Sequence, residues 1–129
     1  MPRDRVRSRR LGNFGERVAA SHLEAKGYQI LERNWSTREG EIDIIASRGP
    51  DLVFVEVRSR RGRTMGTPEE SITGRKATHV RAAAAAYSQQ HPDAPPNLRI
   101  DVVVLELDAK GRVLRVEQIE NAIEDEQTP

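Results

Sequence analysis

Phe14, Val18 and Leu23, with Ala19, Ala20 and Ala25 between them, recur at helical spacing, and the stripe stops at Gly27, a residue suited to closing a helix. This pattern predicts a first helix. From Tyr28 to Trp35 the apolar positions Tyr28, Ile30 and Trp35 alternate imperfectly with polar ones and predict a strand. Residues 41–46 and 52–58 are clearer strands, rich in β-branched side chains and separated by a turn from Ser47 to Asp51 that contains Gly49-Pro50. Three strands in succession predict an antiparallel meander.

Gly62, Gly66 and Pro68 mark a loop, after which Thr67 and Glu70 have the spacing of a capping box around a proline at the first helical position. A break near Thr73-Gly74 divides the helical region that starts there. Its main part, Arg75 to Gln90, carries a run of five alanines and ends before Pro92, Pro95 and Pro96. Leu98 to Leu107 is a strand, Asp108 to Gly111 a turn, and Arg112 to Ile119 a last strand or extended edge. A helical crossover between the third strand and Leu98–Leu107 lets those two lie parallel, so the element order predicts an α/β domain with a mixed sheet flanked by helices. In residues 52–58, Leu52, Phe54, Glu56 and Arg58 fall on one face, and Val53, Val55 and Val57 on the other. Both faces look buried, as helices on each side require.

Composition narrows the function classes. The 129 residues suit one domain, read as a flexible basic arm at 1–11, a single domain at 12–123 and an acidic tail at 124–129. No apolar run approaches the ~20 residues that cross a bilayer, so no membrane partner is expected. The absence of cysteine removes disulfides and thiolate zinc sites, and His22, His79 and His91 lack ligand spacing, which leaves oxygen donors for any metal. The N-terminal arginines lack the apolar stretch of a secretory signal, and the cytoplasm is the expected location. Net charge is only +1, but the charge is clustered. Arg3, Arg5, Arg7, Arg9 and Arg10 open the chain, Arg58, Arg60, Arg61 and Arg63 follow the hairpin, and Glu124, Asp125 and Glu126 close it.

Two acids stand inside the apolar hairpin. If its strands pair symmetrically about Gly49-Pro50, Asp43 faces Glu56 across the ladder, and opposed like charges destabilise a sheet unless something neutralises them. A hard divalent cation does so. Magnesium in particular is held by one or two carboxylates plus waters and a phosphate. The competing reading pairs both acids with nearby arginines at a sheet edge. Glu16, early in the first helix, is a third candidate, with an exposed helix residue favoured by the helix dipole as its alternative.

The segments GERVAASHLEAKGYQILERNW, GEIDIIA, LVFVEVRSR, GTPEESITGRK and RIDVVVL, in that order over roughly Gly12 to Ile123, closely resemble blocks of the bacterial YraN family. That family is similar to PD-(D/E)xK nucleases, and nearest in pattern to archaeal Holliday junction resolvases. The resemblance implies a restriction-endonuclease-like fold and a metal-dependent endonuclease acting on branched or structured DNA, with a part in recombination or repair. It implies magnesium or manganese on Asp43, Glu56 and the Val57 carbonyl, with Glu16 supporting the site and no organic cofactor. A homodimer follows from the same resemblance, since a two-fold junction needs two sites.

One residue departs from the pattern. Arg58 stands where the motif has lysine, and an arginine stays protonated and cannot act as a general base. It can still clamp a phosphate. The expectation is slow cleavage or none, with Lys76 either taking the vacant role or remaining a solvated helix lysine. Arg60, Arg61, Arg63, Arg75 and Lys76 are candidates for following a DNA backbone, or pair with Glu69, Glu70 or the acidic tail. Trp35 and Ser36 lie where the resembling resolvases place residues near the scissile strand, with ordinary core as the reading preferred for Trp35, and Arg99 with Asp101 match a family block that a structural ion pair at a strand start explains as well. A silent DNA-binding module and a protein-interaction scaffold are the alternative functions.

Overall fold

The computed structural model describes residues 3–38, 40–61 and 74–122, with the backbone alone described at 3–12 and 74–76. Helix α1 (Arg3–Ala25) is followed by β1 (Gln29–Thr37), β2 (Gly40–Arg48), β3 (Asp51–Arg61), α2 (Gly74–Gln90), β4 (Asn97–Leu107) and β5 (Val113–Ile119). The α1 backbone is helical from Arg3, through the stretch expected to be a flexible arm, because the arginines and leucine there are good helix formers. Its other end closes as the apolar pattern predicts. Gly27, at φ 93°, gives its N–H to the Glu24 carbonyl, and the Tyr28 N–H returns to the Leu23 carbonyl at 3.1 Å. These two bonds form a Schellman motif, and Leu23 and Tyr28 enter the same core cluster.

The sheet order is β1-β2-β3-β4-β5, antiparallel except for the β3–β4 pair, which is parallel. This is the mixed α/β, restriction-endonuclease-like arrangement. The β2–β3 hairpin turns on Gly49-Pro50, where Gly49 at φ 57° supplies the left-handed first position of a two-residue loop. Asp108 shapes the β4–β5 turn by accepting the N–H groups of Lys110 and Arg112.

Helices cover both faces of the sheet. On one face Ala19, Ala20 and Leu23 of α1 pack on Val53, Val55, Val103 and Leu105. On the other, Val80, Ala83, Ala84 and Tyr87 of α2 pack on Leu52, Phe54 and Ile100. Leu52, Val53, Phe54 and Val55 are all fully buried, so β3 is sandwiched as its two apolar faces require. Trp35 is core, half-buried on the α2 side and edge-on to Tyr87 at 5.1 Å. The predicted Thr67–Glu70 capping box, Arg63 and the acidic tail from 124 onward lie outside the described residues.

Candidate functional site

The β2–β3 ladder follows the symmetric register from Arg48↔Asp51 to Ile44↔Val55 and ends there, one step short of Asp43 and Glu56. The two acids therefore do not oppose each other as an ordinary ladder pair. Side chains alternate across a strand, which puts Ile42 with Ile44 on the α1 face, yet Ile42 packs in the α2 cluster with Ile45 while Ile44 packs under α1. Strand β2 thus turns over and leaves β3 at Asp43. The Val57 N–H points into the resulting opening and donates to Asp43 Oδ2 at 2.8 Å. That bond seats the Asp43 carboxylate one residue beyond Glu56, between the strands.

Glu56 is 1% exposed, and Arg58 Nη2 lies 3.6 Å from its Oε1. The other guanidinium nitrogen, Nη1, donates to the Val57 carbonyl at 3.4 Å. Glu16 comes from α1, which is able to approach because Gly15 turns a bare Cα toward Val57 and Ser59; a Cβ there meets Ser59 Oγ at 3.4 Å. Glu16 is 5% exposed, so the exposed-helix alternative does not describe it. Burial first, and then the charge of Asp43, push the Glu16 carboxyl above the ordinary glutamate range, opposed by a hydrogen bond from Asn34 and by Arg33. Its Oε1 is buried without a hydrogen-bond partner among the described residues, and Arg33 Nη2 lies 4.0 Å from it.

Asn34 and Arg33 were not legible as site residues. Asn34 adopts φ 56° inside β1, just beyond a register shift between Ile30 and Glu32, and it stands opposite Asp43 across the β1–β2 pair. An asparagine inside a strand is the available signal, since it is depleted there and tolerates left-handed backbone.

Arg58, Arg60 and Arg61 continue along β3 past the carboxylates. Arg75 and Lys76 lie in the first turn of α2, with their side chains outside the described residues, as is Arg63 altogether. Arg99 and Asp101 form the expected ion pair away from these acids, with Arg99 Nε 3.0 Å from Asp101 Oδ1.

The donors at the site are hard oxygens. Among the described residues no group of three His, Cys, Asp or Glu side chains is placed to cage a metal alone. Asp43, Glu56 and the Val57 carbonyl instead fit an ion that keeps water and takes part of its shell from substrate, as magnesium does. The buried, unpartnered Oε1 of Glu16 fits the same requirement for positive charge.

Residues 15–105 match the model of the family described as "Uncharacterised protein family UPF0102". A UPF0102 protein of Frankia alni is 47% identical over 112 residues, which covers 87% of this chain and 92% of the relative. One from Moorella thermoacetica is 47% identical over 114 residues, 88% and 95% of the two chains. One from Symbiobacterium thermophilum is 48% identical over 115 residues, 89% and 97%.

Proposed function

Because this chain belongs to the uncharacterised protein family UPF0102, we propose from its own side chains that it is a magnesium- or manganese-dependent phosphodiesterase that cuts DNA. The observation that carries this reading is the opening of the β2–β3 ladder at Asp43, which seats the Asp43 carboxylate on the Val57 N–H next to the buried Glu56, while the buried Glu16 on α1 feels the charge of Asp43. A structural role gives no reason to bury Glu56 beside Asp43 and to set the buried Glu16 within reach of the Asp43 charge. A metal site facing phosphate does.

Asp43 and Glu56, with the Val57 carbonyl, would hold the ion. When bound, a hard divalent ion polarises a phosphate oxygen and lowers the pKa of a water. The Val57 N–H fixes one oxygen of Asp43, and Glu56 is fixed by its place in the central strand. A water attacking phosphorus forms a new P–O bond as the bond to the leaving sugar oxygen breaks, and gives up a proton. We assign the role of receiving it to Glu16, whose carboxyl binds protons more readily than an ordinary glutamate. Arg58 stays charged and acts on the phosphate rather than on the proton. Arg60 and Arg61 extend positive charge along the same strand, where a DNA backbone runs. The preference for branched DNA, and a two-site homodimer to cut it, rest on the resemblance to resolvases.

The test is incubation of the full chain with labelled four-way, flap and linear DNA in Mn2+. The wild type cleaves, and Glu56→Gln loses about a hundredfold or more of that rate. A wild type that binds DNA with no cleavage in any metal sets the nuclease reading aside.

The Arg58–Glu56 contact favours one second reading, a DNA-binding module that has lost turnover. Cleavage that appears only in Arg58→Lys supports it. A chain that binds no nucleic acid at low salt contradicts both readings and leaves a protein-interaction scaffold.

A further inference from the structure

Arg58 stands against the two groups through which β3 holds an ion in the reading above. Its Nη2 faces Glu56 Oε1 at 3.6 Å, and its Nη1 faces the Val57 carbonyl at 3.4 Å. The partners differ in their freedom. The Glu56 side chain is 1% exposed and fixed in the central strand, whereas that of Arg58 is 31% exposed and reaches it from solvent. Both contacts lie at or beyond the long end of hydrogen-bond range. The pair therefore has the Coulombic benefit of neutralising a buried carboxylate without the directed bonds that make such a pair hard to separate.

Resting on the metal reading, we propose that Arg58 is a tethered cation that shares Glu56 and the Val57 carbonyl with the divalent ion. Entry of the ion displaces the guanidinium, which then turns to a phosphate oxygen of the nucleic acid. Side chains alternate along a strand, so Arg60 lies on the same face as Arg58 and continues the path the phosphate takes. Without metal, Arg58 keeps a buried acid neutralised. With metal, it becomes a substrate contact, and metal and DNA reinforce each other's binding by linkage.

The test is calorimetric titration of Mn2+ into the full chain and into Arg58→Gln and Arg58→Lys, with thermal unfolding of each in EDTA and in saturating Mn2+. Arg58→Gln binds Mn2+ about tenfold tighter, because a competent state populated at about one tenth weakens apparent affinity by that factor. It unfolds at lower temperature than wild type in EDTA, and the gap closes in Mn2+. Arg58→Lys, which keeps the charge, stays near wild type in both readouts. With Ca2+ present, the salt dependence of binding to four-way DNA is shallower by about 1 in Arg58→Gln than in wild type, and in EDTA the two slopes agree.

A wild type that binds Mn2+ while Arg58→Gln binds it equally or more weakly overturns the tethered cation and leaves the metal reading standing. Slopes that differ as much in EDTA as in Ca2+ overturn the release step, and Arg58→Lys behaving like Arg58→Gln overturns the role of charge. No Mn2+ bound by any of the three chains removes the metal reading and this inference with it.

Discussion

Among the described residues arginine meets buried carboxylate around Asp101 and at Glu16 and Glu56, and the two settings are built differently. Asp101 is fully buried, and its Oδ1 accepts from Arg99 Nε at 3.0 Å and the Asn121 N–H at 2.9 Å. Its Oδ2 accepts from Arg99 Nη2 at 3.0 Å and Gln118 Nε2 at 2.8 Å. Arg99 in turn meets the part-exposed Asp51 at 3.3 Å and the Tyr28 hydroxyl. One desolvated acid has one forked arginine and a hydrogen bond for every lone-pair direction it offers. Glu16 on α1 and Glu56 on β3 are nearly as deeply buried, yet their arginines stand 4.0 Å and 3.6 Å away. The same residue types make a closed network in one case and, at Glu16 Oε1, a charge deficit among the described residues in the other. Geometry tells them apart. A closed network ties Asn121 and Gln118, at the end of β5, to β4, whereas a deficit is where a cation and its substrate have something to gain.

The largest expected effect breaks the closed region. Arg99→Met leaves Asp101 buried without its guanidinium and lowers stability by about 3–5 kcal/mol in urea unfolding, while Mn2+ affinity measured under folding conditions does not change. A loss of Mn2+ binding in a folded Arg99→Met chain erases the distinction between the two regions.

A smaller effect sharpens the open region. The Glu16 carboxyl sits above its ordinary value of 4.5, so the folded chain binds that proton more tightly than the unfolded chain, and ionisation of Glu16 costs stability. In EDTA, Glu16→Gln is therefore more stable than wild type at pH 8. The advantage shrinks as pH falls through the raised value and is gone below the ordinary glutamate range. Urea midpoints for both chains at pH 4 and pH 8 check the sign. A glutamine variant less stable at pH 8 than wild type contradicts the charge deficit.

The open region was partly legible in the sequence because its acids interrupt an apolar pattern. Asp43 and Glu56 are conspicuous among isoleucines and valines, and the hairpin register follows from Gly49-Pro50. The break of the ladder beyond Ile44 was not legible, since alternation continues through Asp43 on paper and only packing shows Ile42 on the other face. Burial of Glu16 depends on the approach that Gly15 permits, and Asn34 acts through a backbone twist that periodicity does not report. The closed region was legible only as an ion pair. Its partners Tyr28, Asp51, Gln118 and Asn121 come from three other parts of the chain, and no local pattern joins them. Lys76, considered for the motif lysine's role, is decided by neither pattern nor backbone.

The central claim is that the opening at Asp43 takes a divalent cation, and Asp43→Asn isolates it. Asparagine keeps an oxygen for the Val57 N–H, so the strands stay seated while the charge is removed. Mn2+ titrated by calorimetry into both chains, with matched urea midpoints as the control for folding, gives the direct answer. The account predicts saturable Mn2+ binding to the wild type that disappears in Asp43→Asn. Equal binding by both chains, or none by the wild type, contradicts it.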